Sequence, residues 1–106
     1  GAHTQTHPML VACSDAAIEN EIAGARSEIA TQLRVAPTTI AYPYGTRGDF
    51  DTRAEQEAQA AGFACGFANW PGNVRWARNP FALPRHLVRD WNLAQFTERF
   101  MTWCDL

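Results

Sequence analysis

Apolar residues recur at helical spacing from Ile18 through Ile22, Ala25 and Ile29 to Leu33, and the pattern ends before Pro37. Directly beyond, Thr38, Thr39, Ile40 and Tyr42 change to strand-forming types, and Pro43 and Gly45 cut that segment short. This switch of period is the strongest constraint on the chain. A helix with one apolar stripe must cover something, and a strand beside it supplies a sheet to cover. Ser14 is placed to cap the helix, and Asp15 puts negative charge in its first turn. Glu19, Arg26 and Glu28 fall on the opposite, solvated face.

The same alternation continues. After the polar loop TRGDFD, the segment TRAEQEAQAAG reads as a second helix, with Asp51 as its N-cap and Gly62 as its terminator. Its buried face would be Ala54, Ala58 and Ala61, small enough for close packing on a sheet. FACGF reads as a second strand and LPRHLV as a third. Between them, ANWPGNVRWARNPFA is a long loop that carries Trp70 and Trp76, and long loops are often functional. WNLAQFTERFMTWC closes the chain as a helix with Leu93, Phe96, Phe100 and Trp103 on one face. Strands alternating with helices of this length predict an α/β fold with a parallel sheet or barrel. Three predicted strands are few against a common sheet of roughly 4–6. The open edge would then pair with a missing N-terminal segment or with a second copy of the chain.

Composition narrows the function. The 106 residues suit one domain, and 46% hydrophobic with 19% charged residues is a globular balance. A net charge of −2 gives no electrostatic reason for a nucleic-acid partner. No apolar run reaches the ~18 residues of a transmembrane helix, and no signal peptide stands at Gly1. Cys13, Cys65 and Cys104 are odd in number and far apart, so they form neither a disulfide framework nor a zinc ribbon. They are expected as small buried hydrophobes.

The chemistry gathers at the start of the chain, GAHTQTHPML. His3 and His7 stand four residues apart, near enough on one turn to share a divalent metal. The pattern H-E-x-x-H is not met, because Thr4 occupies the position of the glutamate base, so a base would have to come from elsewhere. Thr4 and Thr6 read either as hydroxyls supporting the ligands or as turn formers.

HTQTHP followed by AYPYG, with one amphipathic helix between them, resembles the polysaccharide deacetylases of the NodB-homology type, carbohydrate esterase family 4. The resemblance extends through EAQAAGF and GFANWPG to FALPRH. It implies part of a distorted (β/α) barrel, with residues 1–106 as the C-terminal portion of a single deacetylase domain. It implies metal-dependent hydrolysis of N-acetyl (or O-acetyl) groups on a polysaccharide containing N-acetylglucosamine, through a metal-activated water. His3 and His7 would be the metal ligands, most often for zinc. Tyr44 would offer a backbone N–H to the oxyanion, and His86 would be the general acid. Tyr42, Pro43, Tyr44 and Trp70 would line the substrate groove. The family's first motif, two adjacent Asp that serve as base and third ligand, would lie upstream of Gly1. Asp15, Asp49 and Asp51 stand in the wrong context to replace it. The family often has an Arg where this chain has Ala41, a variant associated with its biofilm-polysaccharide branch. The resemblance suggests a periplasmic, cell-envelope or secreted bacterial protein, and little activity in a chain without the Asp pair. The alternative is a non-catalytic α/β carbohydrate-binding or scaffold fragment, with Trp70 and Trp76 stacking on sugar rings.

Overall fold

Both long helices begin where their caps dictate. The structure, a computed structural model, describes residues 1–104. Helix α1 spans Asp15–Leu33, and the Ser14 hydroxyl accepts the Ala17 N–H at 3.2 Å. Helix α2 spans Thr52–Ala61, is capped by Asp51 through the Arg53 N–H, and ends at Gly62 with φ 102°. Ala54 and Ala58 are fully buried, as their spacing predicts, and Ile18, Ile22 and Ala25 form the buried stripe of α1. The two helices pack against each other and cover the sheet. Leu33 departs from expectation at 67% exposure: the last turn of α1 runs past the strands it would cover.

Strand β1 (Thr39–Ala41) pairs in parallel with β2 (Cys65–Phe67), Ile40 standing opposite Gly66. Two single-residue bridges widen this sheet. Ala2 pairs in parallel with Ile40, donating its N–H to Thr39 O at 2.8 Å and accepting from Ala41 N at 3.0 Å. The histidine segment thus leaves directly from a sheet position, although no strand pattern precedes it in the sequence. On the other side Leu83 bridges Phe67. This is all that forms of the strand expected over LPRHLV. The next donor in register, the Arg85 N–H, goes to Trp70 O instead of Ala68 O, which the Arg85 guanidinium takes, so the regular ladder stops at Leu83. The parallel order is Ala2, β1, β2, Leu83, and the segments that follow Ala2, β1 and β2 leave from one edge of this small sheet.

Tyr42 locks that edge. It is 1% exposed, stacks on Phe50 at 4.1 Å between ring centroids, and donates its hydroxyl to Phe81 O at 2.7 Å. A Cβ at Gly66 would collide with that hydroxyl, so only glycine lets the ring lie across β2. Burial first, and then the nearby Glu55 and Cys65, push the Tyr42 phenol above its ordinary range. Its raised pKa means that its contribution to stability is fully present below about pH 10, the unfolded value, and is lost as pH rises from there through the higher folded one. Tyr42→Phe leaves the Phe81 carbonyl without its donor and is expected to cost about 1–2 kcal/mol. Thermal unfolding across pH 7–11 checks both statements: the variant should melt lower, with a shallower alkaline loss than the parent.

The closing helix α3 spans Leu93–Cys104 as its pattern predicts, but none of its residues is buried, and Leu93 is 80% exposed. It does not cover the sheet. It is tied to the preceding segment by Trp103, whose ring stacks on His86 and tilts toward Trp91, and by Arg99, whose guanidinium lies over the Trp91 ring. The radius of gyration of 15.2 Å exceeds the ~13 Å of a compact domain near this size. The cysteines also differ from expectation: Cys13 and Cys65 are half-buried and Cys104 is exposed, all three free.

Candidate functional site

The loop after Ala2 carries the two histidines, and its backbone is constrained. Thr4 and His7 both have left-handed φ, 65° and 61°. Residues other than glycine adopt this region only when their surroundings hold them there. The holder is Glu21, on α1. Its carboxylate accepts the Gln5 and Thr6 N–H groups, both at 2.8 Å, and the Thr6 hydroxyl at 2.5 Å. The Thr4 hydroxyl accepts the His7 N–H at 3.1 Å. Glu21 is only 9% exposed. Burial pushes its pKa up, but the bonds from Thr6 and Gln5 together outweigh that and hold it below the ordinary carboxylate value.

The result is a pair of imidazoles side by side. The His3 and His7 rings lie 4.7 Å apart between centroids, edge to face at 65°. His3 Nδ1 lies 2.7 Å from Ala41 O. A carbonyl only accepts, so Nδ1 carries the proton and Nε2 keeps its lone pair. Fixing the tautomer through the far nitrogen is how proteins commonly prepare a histidine for a metal. Both rings are solvent-exposed. Among the described residues no group of three or more His, Cys, Asp or Glu comes together. The pair therefore suits zinc in donor type but is one ligand short of the usual three-ligand catalytic set. Asp15, Asp49 and Asp51 are engaged elsewhere. Asp15 and Asp51 pair with Arg53 at 3.0 and 3.2 Å, and Asp49 accepts the Thr46 N–H.

A cleft of about 400 Å³ opens beside the histidines, bordered by Tyr42, Tyr44, Asn69, Arg85 and His86. Tyr44 and His86 thus join His3 and His7 at one place, across more than 80 residues of sequence. Tyr44 has φ 62°, and its ring meets His7 edge-on at 4.8 Å. Its carbonyl accepts from Asn69 Nδ2, while its N–H has no acceptor among the described residues. Gly45 turns the chain at φ 74° against Asn69, where a Cβ would come within 2.7 Å of the Asn69 Cβ. His86 stacks flat on Trp103, 4.4 Å and 7°.

The other predicted groove residues lie deeper or to one side. Tyr42 forms the floor of the cleft with its hydroxyl already bonded, and Pro43 is fully buried. Trp70 stacks on Phe50 at 5.7 Å and borders a neighbouring hollow rather than the histidine cleft. Asn69, Arg85 and Glu21 were not singled out by the sequence. Glu21 did leave a signal, an acid three residues after Ile18 and four before Ala25, within the apolar stripe.

The comparisons with known proteins bear on the fold and the family. The Streptococcus pyogenes deacetylase PplD, solved in complex with acetate, superposes with a TM-score of 0.82 at 21% identity, over 98% of this chain and 43% of its own. BC0361, a polysaccharide deacetylase from Bacillus cereus, gives 0.74 at 19% identity over 91% of this chain and 30% of its own. The BpsB deacetylase domain from Bordetella bronchiseptica gives 0.60 at 23% identity over 70% and 27%. The chain thus has the deacetylase fold and spans less than half the length of these structures. No curated protein sequence matches it. The polysaccharide deacetylase profile matches residues 1–66, from the histidine loop to β2, and the chain belongs to that family.

Proposed function

We propose that the chain is the histidine-bearing portion of a metal-dependent polysaccharide deacetylase, which removes N-acetyl or O-acetyl groups from a polysaccharide containing N-acetylglucosamine. One observation carries the reading. Two histidines, one with its tautomer set by Ala41 O, adjoin a cleft that also presents Tyr44 and His86. A divalent ion, zinc foremost, would be held by His3 and His7 and would supply Lewis-acid polarisation to water and the acetamide carbonyl. The Tyr44 N–H, without an acceptor among the described residues, would be the donor for the developing oxyanion. His86, its ring plane fixed by Trp103, holds the proton for the departing amine. The family match supports a deacetylase reaction, and acetate, present with the streptococcal relative, is its expected product.

The general base and third ligand belong, in this reading, to a segment N-terminal to Gly1 that lies beside Ala2 in the sheet. The test is acetate release from N-acetylglucosamine oligomers. A protein extended upstream to include two adjacent Asp at a strand end should release acetate only when a divalent metal is present. The 106-residue chain should release little. Metal-independent release, or full release after His3→Ala, would remove this reading in favour of a carbohydrate-binding fragment.

A further inference from the structure

Next to the histidine cleft lies a second, larger hollow of about 600 Å³, within the ~300–1,000 Å³ of small-molecule sites. Arg47, Glu55, Trp70, Trp76, Arg78 and Asn79 border it. The wall between the two hollows is a single pair of segments. Asn69 and Arg85 face the histidine side, while Trp70 and Pro84 face the other. The Arg85 N–H bonds Trp70 O at 3.0 Å across that wall, and its guanidinium bonds Ala68 O. Both hollows are built from loops that leave the same edge of the parallel sheet, the usual place for ligands in such folds.

The chemistry of this hollow differs from that of the chain as a whole. The chain carries −2, but here two guanidinium groups face one carboxylate. The Glu55 carboxylate is already tied to Asn79 Nδ2 at 2.9 Å. Among the described residues neither Arg47 nor Arg78 has a carboxylate partner, since the ion pairs all belong to Arg53. Arg47 is nevertheless held in place, its guanidinium carbon 4.3 Å from the centre of the Trp70 ring. Trp70 in turn rests on Phe50, which stacks on Tyr42 in the core. Stacking leaves the edge N–H groups of a guanidinium free to bind an anion. Trp76 is 67% exposed, a large apolar ring with the Arg75 guanidinium 5.6 Å from its centre and the rest open to solvent. A sugar ring on an aromatic face beside anchored guanidinium groups is a match for an acidic glycan unit.

We propose that this hollow binds an anionic sugar residue, a uronic acid or a phosphate-bearing hexose, lying next to the unit that enters the histidine cleft. Trp76 takes the ring face, and Arg47 and Arg78 take the anion. The proposal rests on the polysaccharide reading above and adds to it a charge preference.

The probes are two hexasaccharides of equal length. One alternates hexuronic acid with N-acetylhexosamine, and the other is N-acetylhexosamine throughout. Binding is followed by calorimetry and tryptophan fluorescence at low salt. The acidic oligomer should bind about tenfold more tightly than the neutral one, as one charge-assisted contact warrants. Arg78→Ala should remove most of that preference, and Trp76→Ala should weaken both oligomers. Both side chains are exposed, so both variants should fold. Equal affinity for the two oligomers, no binding of either, or an unchanged preference in Arg78→Ala would overturn the proposal. A zinc titration on the same samples separates the two ideas. Zinc binding without charge preference removes only the anionic subsite. Charge preference without zinc binding upholds the subsite and removes the metal-dependent reading.

Discussion

Replacing His7 with alanine is expected to abolish joint zinc binding. With two protein nitrogens on one ion, water fills the remaining positions, and affinity is modest from the start. Losing one of the two leaves a lone exposed imidazole. Even partners that only orient a ligand are worth about 10–100-fold in metal affinity, so deleting the ligand itself should cost at least about a hundredfold. The fold should survive, because the His7 side chain is exposed and makes no side-chain hydrogen bond among the described residues. Calorimetry on the parent and the variant, with circular dichroism to confirm unchanged helix, decides the matter. Equal zinc binding by the two proteins would end the assignment of His3 and His7 as a metal pair. His3→Ala should behave alike, with the Ala41 carbonyl released to water.

Which parts of this molecule could be read from its sequence follows from the range of the forces involved. The helices were legible because caps and apolar period act within a few residues. Ser14, Asp51 and Gly62 sit where a local rule puts them. The sheet was legible in type but not in extent. Ala2 gives no strand pattern, and its membership depends wholly on a β1 partner about 40 residues away. The expected third strand shrank to Leu83 because the in-register donors on either side are taken elsewhere, the Phe81 N–H by the Asn79 side chain and the Arg85 N–H by Trp70 O. The amphipathic pattern of α3 correctly announced a helix but not a burial, since a stripe says what a helix offers, not what arrives to cover it. The histidine pair was legible as spacing. Its preparation was not: the Ala41 carbonyl reaches His3 Nδ1 through the fold alone.

Glu21 shows most clearly how distant packing controls that cleft, and Glu21→Ala should be the most costly change outside the histidines. The carboxylate satisfies two backbone N–H groups and one hydroxyl of the 3–7 loop from the buried face of α1. Hydrogen bonds to a charged group are worth about 1.5–3 kcal/mol each, but Gln5 and Thr6 are exposed enough for water to replace part of that. A net loss of about 2–3 kcal/mol is therefore expected. Glu21→Gln keeps the shape but turns one acceptor oxygen into a donor facing donors, so it should recover only part of the loss. The pH dependence has a definite sign. The folded pKa is depressed, so the stabilisation is present above the ordinary carboxylate value and disappears as pH falls through the lower, folded one. Melting temperatures of parent and Glu21→Gln should converge on acidification below about pH 4. Curves that stay parallel to pH 2 would mean that the charge contributes nothing. Zinc affinity supplies the second readout. With the loop released, Thr4 and His7 lose what holds them at positive φ, and zinc binding at pH 7 should weaken about 10–100-fold. If stability falls while zinc affinity stays at the parental value, Glu21 merely fastens the loop to α1, and the orientation of the histidines comes from Ala41 and the sheet alone.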